Sequence, residues 1–242
     1  MTPPVMQRST PRLSLTKLAE YLGATPRRRR RIVADQKFPR PFAAARYGRA
    51  RAALVEHLTG ALDEAGLVQQ VTAISAREDG TPWQLQDDLG CIEAMLAWLE
   101  VPVPSAGCRD DVTLRAAAQA PPRLVLGGLE VSVAPELLVG GKDRQGQAVR
   151  GAVKLYFSKH HPLGPVGGPA AATALHAWVG AVLNGEPTAR WCRVVDVFAG
   201  QVWLAPPHRA RRLANLELAA EEIAQRWPLL PVPEGAGVVL AA

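Results

Sequence analysis

Apolar residues recur along the first part of the chain with the spacing of helices, and along the later part with the alternation of strands. Leu15, Leu18, Ala19 and Leu22 fall at i, i+3, i+4 and i+7, the stripe of an amphipathic helix that Gly23 closes. A second helix is expected from Pro26: Thr25 suits the N-cap, and proline suits the first helical position because its missing N–H would have no partner there. Ile32 and Val33 are its apolar members. A third helix is expected over residues 43–65, where Leu54, Leu58 and Leu62 share a stripe. A fourth is expected over residues 84–99, with Leu85, Leu89, Ile92, Leu96 and Leu99 as its apolar face and Gly90 as its weak point.

From about residue 122 the period shortens to two. Residues 124–139 and 149–157 read as strands, joined by turn chemistry from Gly140 to Gly146. In the second of these runs Ala152, Lys154 and Tyr156 share one face, and Val153, Leu155 and Phe157 the other. With the turn near Gln145, Glu136 and Lys154 come opposite or nearly opposite each other. A helix over residues 170–183, a hairpin over 193–205 turning at Ala199-Gly200, and a last helix over 209–227 complete the order. Helices followed by alternating hairpins and helices give an α/β fold: a helical N-terminal region, then a mixed β-sheet flanked by helices. Residues 1–12 read as a flexible tail, 13–80 as a basic helical region and 81–242 as an α/β domain, with the proline-broken stretch 101–105 as the linker.

Charge changes this picture by localising it. Residues 27–51 hold ten basic side chains and one acid, a segment charge of +9, so the remainder of a chain whose net charge is +6 sums to −3. Half of those ten are the run Arg27 to Arg31, directly behind the helix start at Thr25-Pro26. Cations are unfavourable beside the positive end of a helix macrodipole, so the run points to an external anion, of which a phosphate backbone is the obvious candidate. Arg27, Arg28, Arg30, Arg31, Lys37 and Arg40 are the expected phosphate contacts, and DNA or RNA the expected partner. Such a helix offers few side chains that read base edges, so grip on the backbone is expected over sequence choice. The structural alternative is a solvated cationic helix face.

Composition excludes other classes. A chain of 242 residues with 48% hydrophobic and 21% charged residues has the makeup of a globular protein, and no apolar run reaches the roughly 20 residues of a membrane span. No signal-peptide core opens the chain, and Cys91, Cys108 and Cys192 lack metal-type spacing, so a cytoplasmic protein with reduced thiols is expected.

Residues 15–25 (LTKLAEYLGAT), with an alanine in mid-helix and a glycine at the turn, look like a helix-turn-helix DNA-binding module. Lys37-Phe38-Pro39-Arg40-Pro41 is similar to the segment after the second helix in excisionase-type regulators. Further on, Pro135-Glu136 followed by Ala152-Val153-Lys154, within the element order of residues 85–227, resembles the PD-(D/E)XK nuclease superfamily. That resemblance implies a restriction-endonuclease-like fold in which Glu136 and Lys154 are catalytic and Glu93, Glu136 and Asp196 hold Mg²⁺. Ala152 departs from the pattern, standing where the second carboxylate belongs. The expected function is therefore nucleic-acid binding beside a degenerate nuclease-like domain. An active Mg²⁺-dependent nuclease, and an adaptor whose arginines recognise an acidic protein partner, are the alternatives. No cofactor is required by the first reading. At residue level, Glu136 and Lys154 can also be a cross-strand ion pair, Asp196 can cap a turn, and His160-His161 can be a loop pair.

Overall fold

The structure is a computed structural model that describes residues 5–39, 46–100, 112–118, 120–233 and 238–240. Among these residues the chain is an α/β protein. Its helices are α1 (Leu15–Gly23), α2 (Pro26–Lys37), α3 (Gly48–Leu58), α4 (Glu64–Ser75), α5 (Pro82–Glu100), α6 (Gly164–Val182) and α7 (Ala210–Arg226). Its strands are β1 (Val5–Gln7), β2 (Arg12–Ser14), β3 (Thr113–Ala116), β4 (Leu124–Leu126), β5 (Leu129–Ser132), β6 (Leu137–Lys142), β7 (Ala148–Tyr156), β8 (Glu186–Asp196), β9 (Gln201–Leu204) and β10 (Val238–Leu240). The main sheet has the order β3-β6-β7-β8-β9, parallel only between β7 and β8, which α6 connects. A smaller mixed sheet runs β2-β5-β4, and β1 pairs in parallel with β10.

The alternation read along β7 decides the layering. Ala152 and Tyr156 join Cys192 and Val194 of β8 in one apolar cluster, which α1, α2, α6, α7 and the smaller sheet complete. Val153 and Leu155 join Trp191, Val195 and Val197 in a second cluster on the opposite face, which α3, α4 and α5 cover. The N-terminal helices are thus divided between the two faces: α1 lies on α6, while α3 lies on α5. Gly151 lets β7 and β8 approach closely, since a Cβ there would lie 2.4 Å from the Trp191 Cβ and 2.6 Å from its carbonyl oxygen. The β6–β7 turn is built by Asp143, whose Oδ1 accepts from the N–H groups of Gln145 (2.9 Å) and Gln147 (2.8 Å), with Gly146 at φ +79°.

Several expectations are corrected. The helix expected over 43–65 is the shorter α3, with Gly60 at φ +80° after its end, and a further helix, α4, follows, capped by Asp63, which accepts from the Gly66 N–H at 2.7 Å. The strand expected over 124–139 divides into β4, β5 and β6, shared between two sheets. The 170–183 helix begins six residues earlier, at Gly164. Within the expected tail 1–12, residues 5–7 form β1 and Arg12 begins β2. The α5 face is also rotated: its buried line is Asp88, Cys91, Ala94, Met95 and Trp98, while of the expected stripe Leu89 and Leu96 are exposed and Leu85, Ile92 and Leu99 half-buried. Arg40, Cys108 and the expected linker at 101–105 lie outside the described residues. Among the described residues no helix is long and apolar enough to cross a membrane.

Candidate functional site

The arginine run begins as its sequence dictates. Thr25 is extended and its Oγ1 accepts from the Arg28 N–H at 3.4 Å, with Pro26 in the first turn. The five side chains then part ways. Arg28 turns back onto α1, where its Nε lies 2.7 Å from Oε1 of the buried Glu20, whose other oxygen meets Lys17 Nζ at 2.6 Å. Arg29 donates through Nε and Nη2 to the carbonyls of Tyr21 and Leu22, both at 2.9 Å, and its guanidinium lies 5.1 Å from the Tyr21 ring centroid. Those carbonyls lie at the negative end of α1, where the Tyr21 carbonyl also accepts from the Ala24 N–H at 3.2 Å, so Arg29 adds a C-terminal cap supplied by the next helix. Arg27, Arg30 and Arg31 are exposed. Arg31 meets Asp35 at 3.6 Å in a pair open to solvent, an arrangement that contributes little.

Two of the expected phosphate contacts are therefore corrected. Arg28 is held by Glu20. Lys37 is buried, its Nζ donating to the carbonyl oxygens of Trp227 (2.7 Å) and Leu230 (3.1 Å), where it ties the end of α2 to the segment after α7. Burial holds its ammonium below the usual lysine range. Arg27, Arg30 and Arg31 remain as outward cations at a helix start.

The nuclease-like residues assemble only in part. Glu136 precedes β6, its N–H bonded to the Val153 carbonyl at 2.9 Å, and Lys154 follows Val153 in β7. The two side chains meet across the hairpin, Nζ to Oε1 at 2.8 Å, and Lys154 also donates to the Ala134 carbonyl at 2.8 Å. Arg51 of α3 reaches the same Oε1 at 3.3 Å, and the Leu155 N–H donates to Oε2 at 2.6 Å. Desolvation, partly offset by Glu136, pushes the Lys154 amine below the usual lysine range. Both oxygens of the Glu136 carboxylate are thus engaged by two cations and a backbone donor.

Glu93 is exposed on α5 and paired with Lys159. Asp196 closes β8 as a buried cap, accepting from the Leu163 N–H at 2.9 Å and the Ala199 N–H at 3.4 Å, and burial raises its carboxyl above the usual range. Ala152 is fully buried in the apolar cluster. Among the described residues no three His, Cys, Asp or Glu side chains gather closely enough to hold a metal ion. The set Glu93, Glu136 and Asp196 does not fit Mg²⁺, which needs carboxylate oxygens open to it in octahedral array, and no chemical step is derived through the ion. His160 and His161 lie in the segment after β7, where the His161 carbonyl accepts from the buried Tyr156 hydroxyl at 2.5 Å. Burial pushes that phenol up to about 12.

Sequence reasoning missed two groups that organise these sites. Glu20 carried a local signal, Lys17 three residues earlier on the same helix face, whereas its bond to Arg28 crosses a turn. Arg51 was one of ten basic residues in its segment, and nothing local marked it as the partner of Glu136. No protein-family model matches this chain, and no curated protein matches it in sequence.

Proposed function

We propose that this chain binds nucleic acid through the phosphate backbone, with Arg27, Arg30 and Arg31 of α2 as the contacts and the α/β body as the scaffold that orients them. One observation carries the reading. In a run of five arginines at a helix start, Arg28 and Arg29 are pinned to α1, which leaves the others outward on a helix of fixed orientation whose first turn holds no acid. The helix-turn-helix resemblance of residues 15–25 agrees with this use of α2, and the sparse base-reading chemistry favours backbone grip over sequence choice. The nuclease-like domain is read as a degenerate relative, because the carboxylate oxygens of Glu136 already accept from Lys154, Arg51 and the Leu155 N–H. A reducing, cytoplasmic setting suits it, with Cys91 and Cys192 kept as buried thiols.

The test is a salt titration of duplex DNA binding by the full chain and by an Arg27→Gln/Arg30→Gln/Arg31→Gln variant. Affinity is expected to fall with a log–log slope of about −0.9 per phosphate neutralised, and the triple variant to lose up to about three such units. A flat salt dependence, or an unchanged slope in the variant, rejects the proposal. The juxtaposition of Glu136 and Lys154 is the observation that keeps an active nuclease as the second reading. Plasmid incubated with Mg²⁺ and either the wild type or Lys154→Ala decides it: equal cutting, or none, in both rejects catalysis.

A further inference from the structure

The outward stripe of α5 has a spacing that its buried face lacks. Leu85, Leu89, Ile92, Leu96 and Leu99 are separated by four, three, four and three residues, the a/d repeat of a coiled-coil seam. Leu89 and Leu96, the a-type positions, are 61% and 45% exposed, while Leu85 is half-buried and Ile92 and Leu99 are half-buried against the core. On α4, which packs beside α5, Val68 is 48% exposed. Among the described residues, apolar side chains are thus left open on two neighbouring helices of one layer, at seam spacing on α5.

The charge around the seam selects what covers it. α4 and α5 together carry Glu64, Asp87, Asp88, Glu93 and Glu100 and no lysine or arginine, while neighbouring elements pair Asp88 with Arg49 and Arg77, and Glu93 with Lys159. The outer flank, the e-type positions, is Gln86, Glu93 and Glu100, whereas the g-type positions Asp88 and Met95 are buried in the core. In an antiparallel pairing of two copies the acidic flanks would face each other. In a parallel pairing each flank would need a g position that the fold has already buried. Either arrangement disfavours a second copy, while a helix with basic flanks meets Glu100 and the shared charge of Glu93.

We propose that the α4–α5 face is a docking site for an amphipathic helix of a protein partner, with leucine-type residues at a and d positions and lysine or arginine on the flank facing Glu93 and Glu100. Leu89 and Leu96 are the anchors. Glu100 supplies the orienting charge together with Glu93, which shares its own with Lys159. The site lies on the opposite face of the main sheet from α1 and α2, so occupancy leaves the proposed phosphate contacts open.

The experiment titrates full-length protein, by fluorescence anisotropy, with two synthetic heptad peptides that carry leucine at a and d and either lysine or glutamate on the flanks. The lysine peptide is expected to bind at least about tenfold more tightly. The Leu89→Ser/Leu96→Ser variant, altered at exposed positions and checked for folding by circular dichroism, is expected to lose about tenfold or more. Glu93→Lys/Glu100→Lys is expected to reverse the order of the two peptides. Equal binding of both peptides, or binding that the leucine substitutions leave unchanged, overturns the proposal. A concentration-dependent dimer of the wild type, absent from Leu89→Ser/Leu96→Ser on sedimentation, also overturns it by identifying a second copy as the occupant.

Discussion

Replacing Arg28 by glutamine separates the structural arginines from the outward ones. The Arg28 guanidinium lies 2.7 Å from Glu20 through Nε, with a second bond through Nη2, and the side chains of Arg28 and Glu20 are 24% and 5% exposed. Hydrogen bonds to charged groups contribute about 1.5–3 kcal/mol, and stripping a buried charge of its only partner costs about 3–5 kcal/mol. Glu20 keeps Lys17 at 2.6 Å, so the lower range applies: Arg28→Gln should destabilise by about 2 kcal/mol, which for a chain of this size lowers Tm by roughly 4–8 °C. Arg27→Gln and Arg30→Gln, at exposed positions without such a partner, should stay within about 0.5 kcal/mol of the wild type. Urea unfolding followed by circular dichroism measures all three, and a Glu20→Gln/Arg28→Gln double-mutant cycle isolates the coupling. An Arg28→Gln variant as stable as the wild type, or exposed variants that lose as much, would refute the division of the arginine run.

Lys37→Met removes the two bonds that join α2 to the Trp227 and Leu230 carbonyls, so it should cost about 1–3 kcal/mol in urea unfolding while leaving DNA affinity and its salt slope unchanged. Gly151→Ala drives a Cβ against the Trp191 backbone in the strand pair that α6 joins, and should lower stability by about 3 kcal/mol or leave the protein insoluble. Asp196 has its carboxyl pKa raised by burial, so the folded state holds its proton more tightly than the unfolded chain does. Stability therefore rises as pH falls through the raised value toward the ordinary carboxylate value. In Asp196→Asn that contribution should vanish, which the pH dependence of urea midpoints of the two proteins will show.

What could be read in advance was what local pattern determines. The two faces of β7 were legible because a strand commits each residue by parity, and Ala152, Tyr156, Val153 and Leu155 fall into the two apolar clusters accordingly. The start of α2 was legible because Thr25 and Pro26 do their work within one turn. α5 was misread for a physical reason: it is apolar on two faces, and the period locates both without ranking them. Leucines marked the outer seam more strongly than Cys91, Ala94, Met95 and Trp98 marked the inner one. The break between α3 and α4 was present at Gly60 and Asp63, but the Leu54, Leu58 and Leu62 stripe runs across it. Contacts such as Lys37 with Trp227, or β1 with β10, join positions whose intervening chain carries no local trace of the pairing.

The Glu136–Lys154 pair shows where such reading stops. Counting residues through the turn was enough to place the two opposite each other, because an antiparallel hairpin fixes separation once its turn is fixed. What the pair can do is decided by groups that no count reaches. Arg51 comes from α3 and the Leu155 N–H from the strand itself, and with Lys154 they occupy both oxygens of the carboxylate. Beside Lys154 on the same strand face, Ala152 supplies a methyl group to an apolar cluster where a nuclease would have an acid. A metal site requires carboxylates with open lone pairs and water at hand. Here both oxygens of the acid have partners and Ala152 lies in an apolar cluster, an arrangement that supports the cross-strand ion-pair reading of the hairpin. Arg27, Arg30 and Arg31 on one side of the main sheet, and Leu89 and Leu96 of α5 on the other, face solvent, and the proposed contacts are placed on them for that reason.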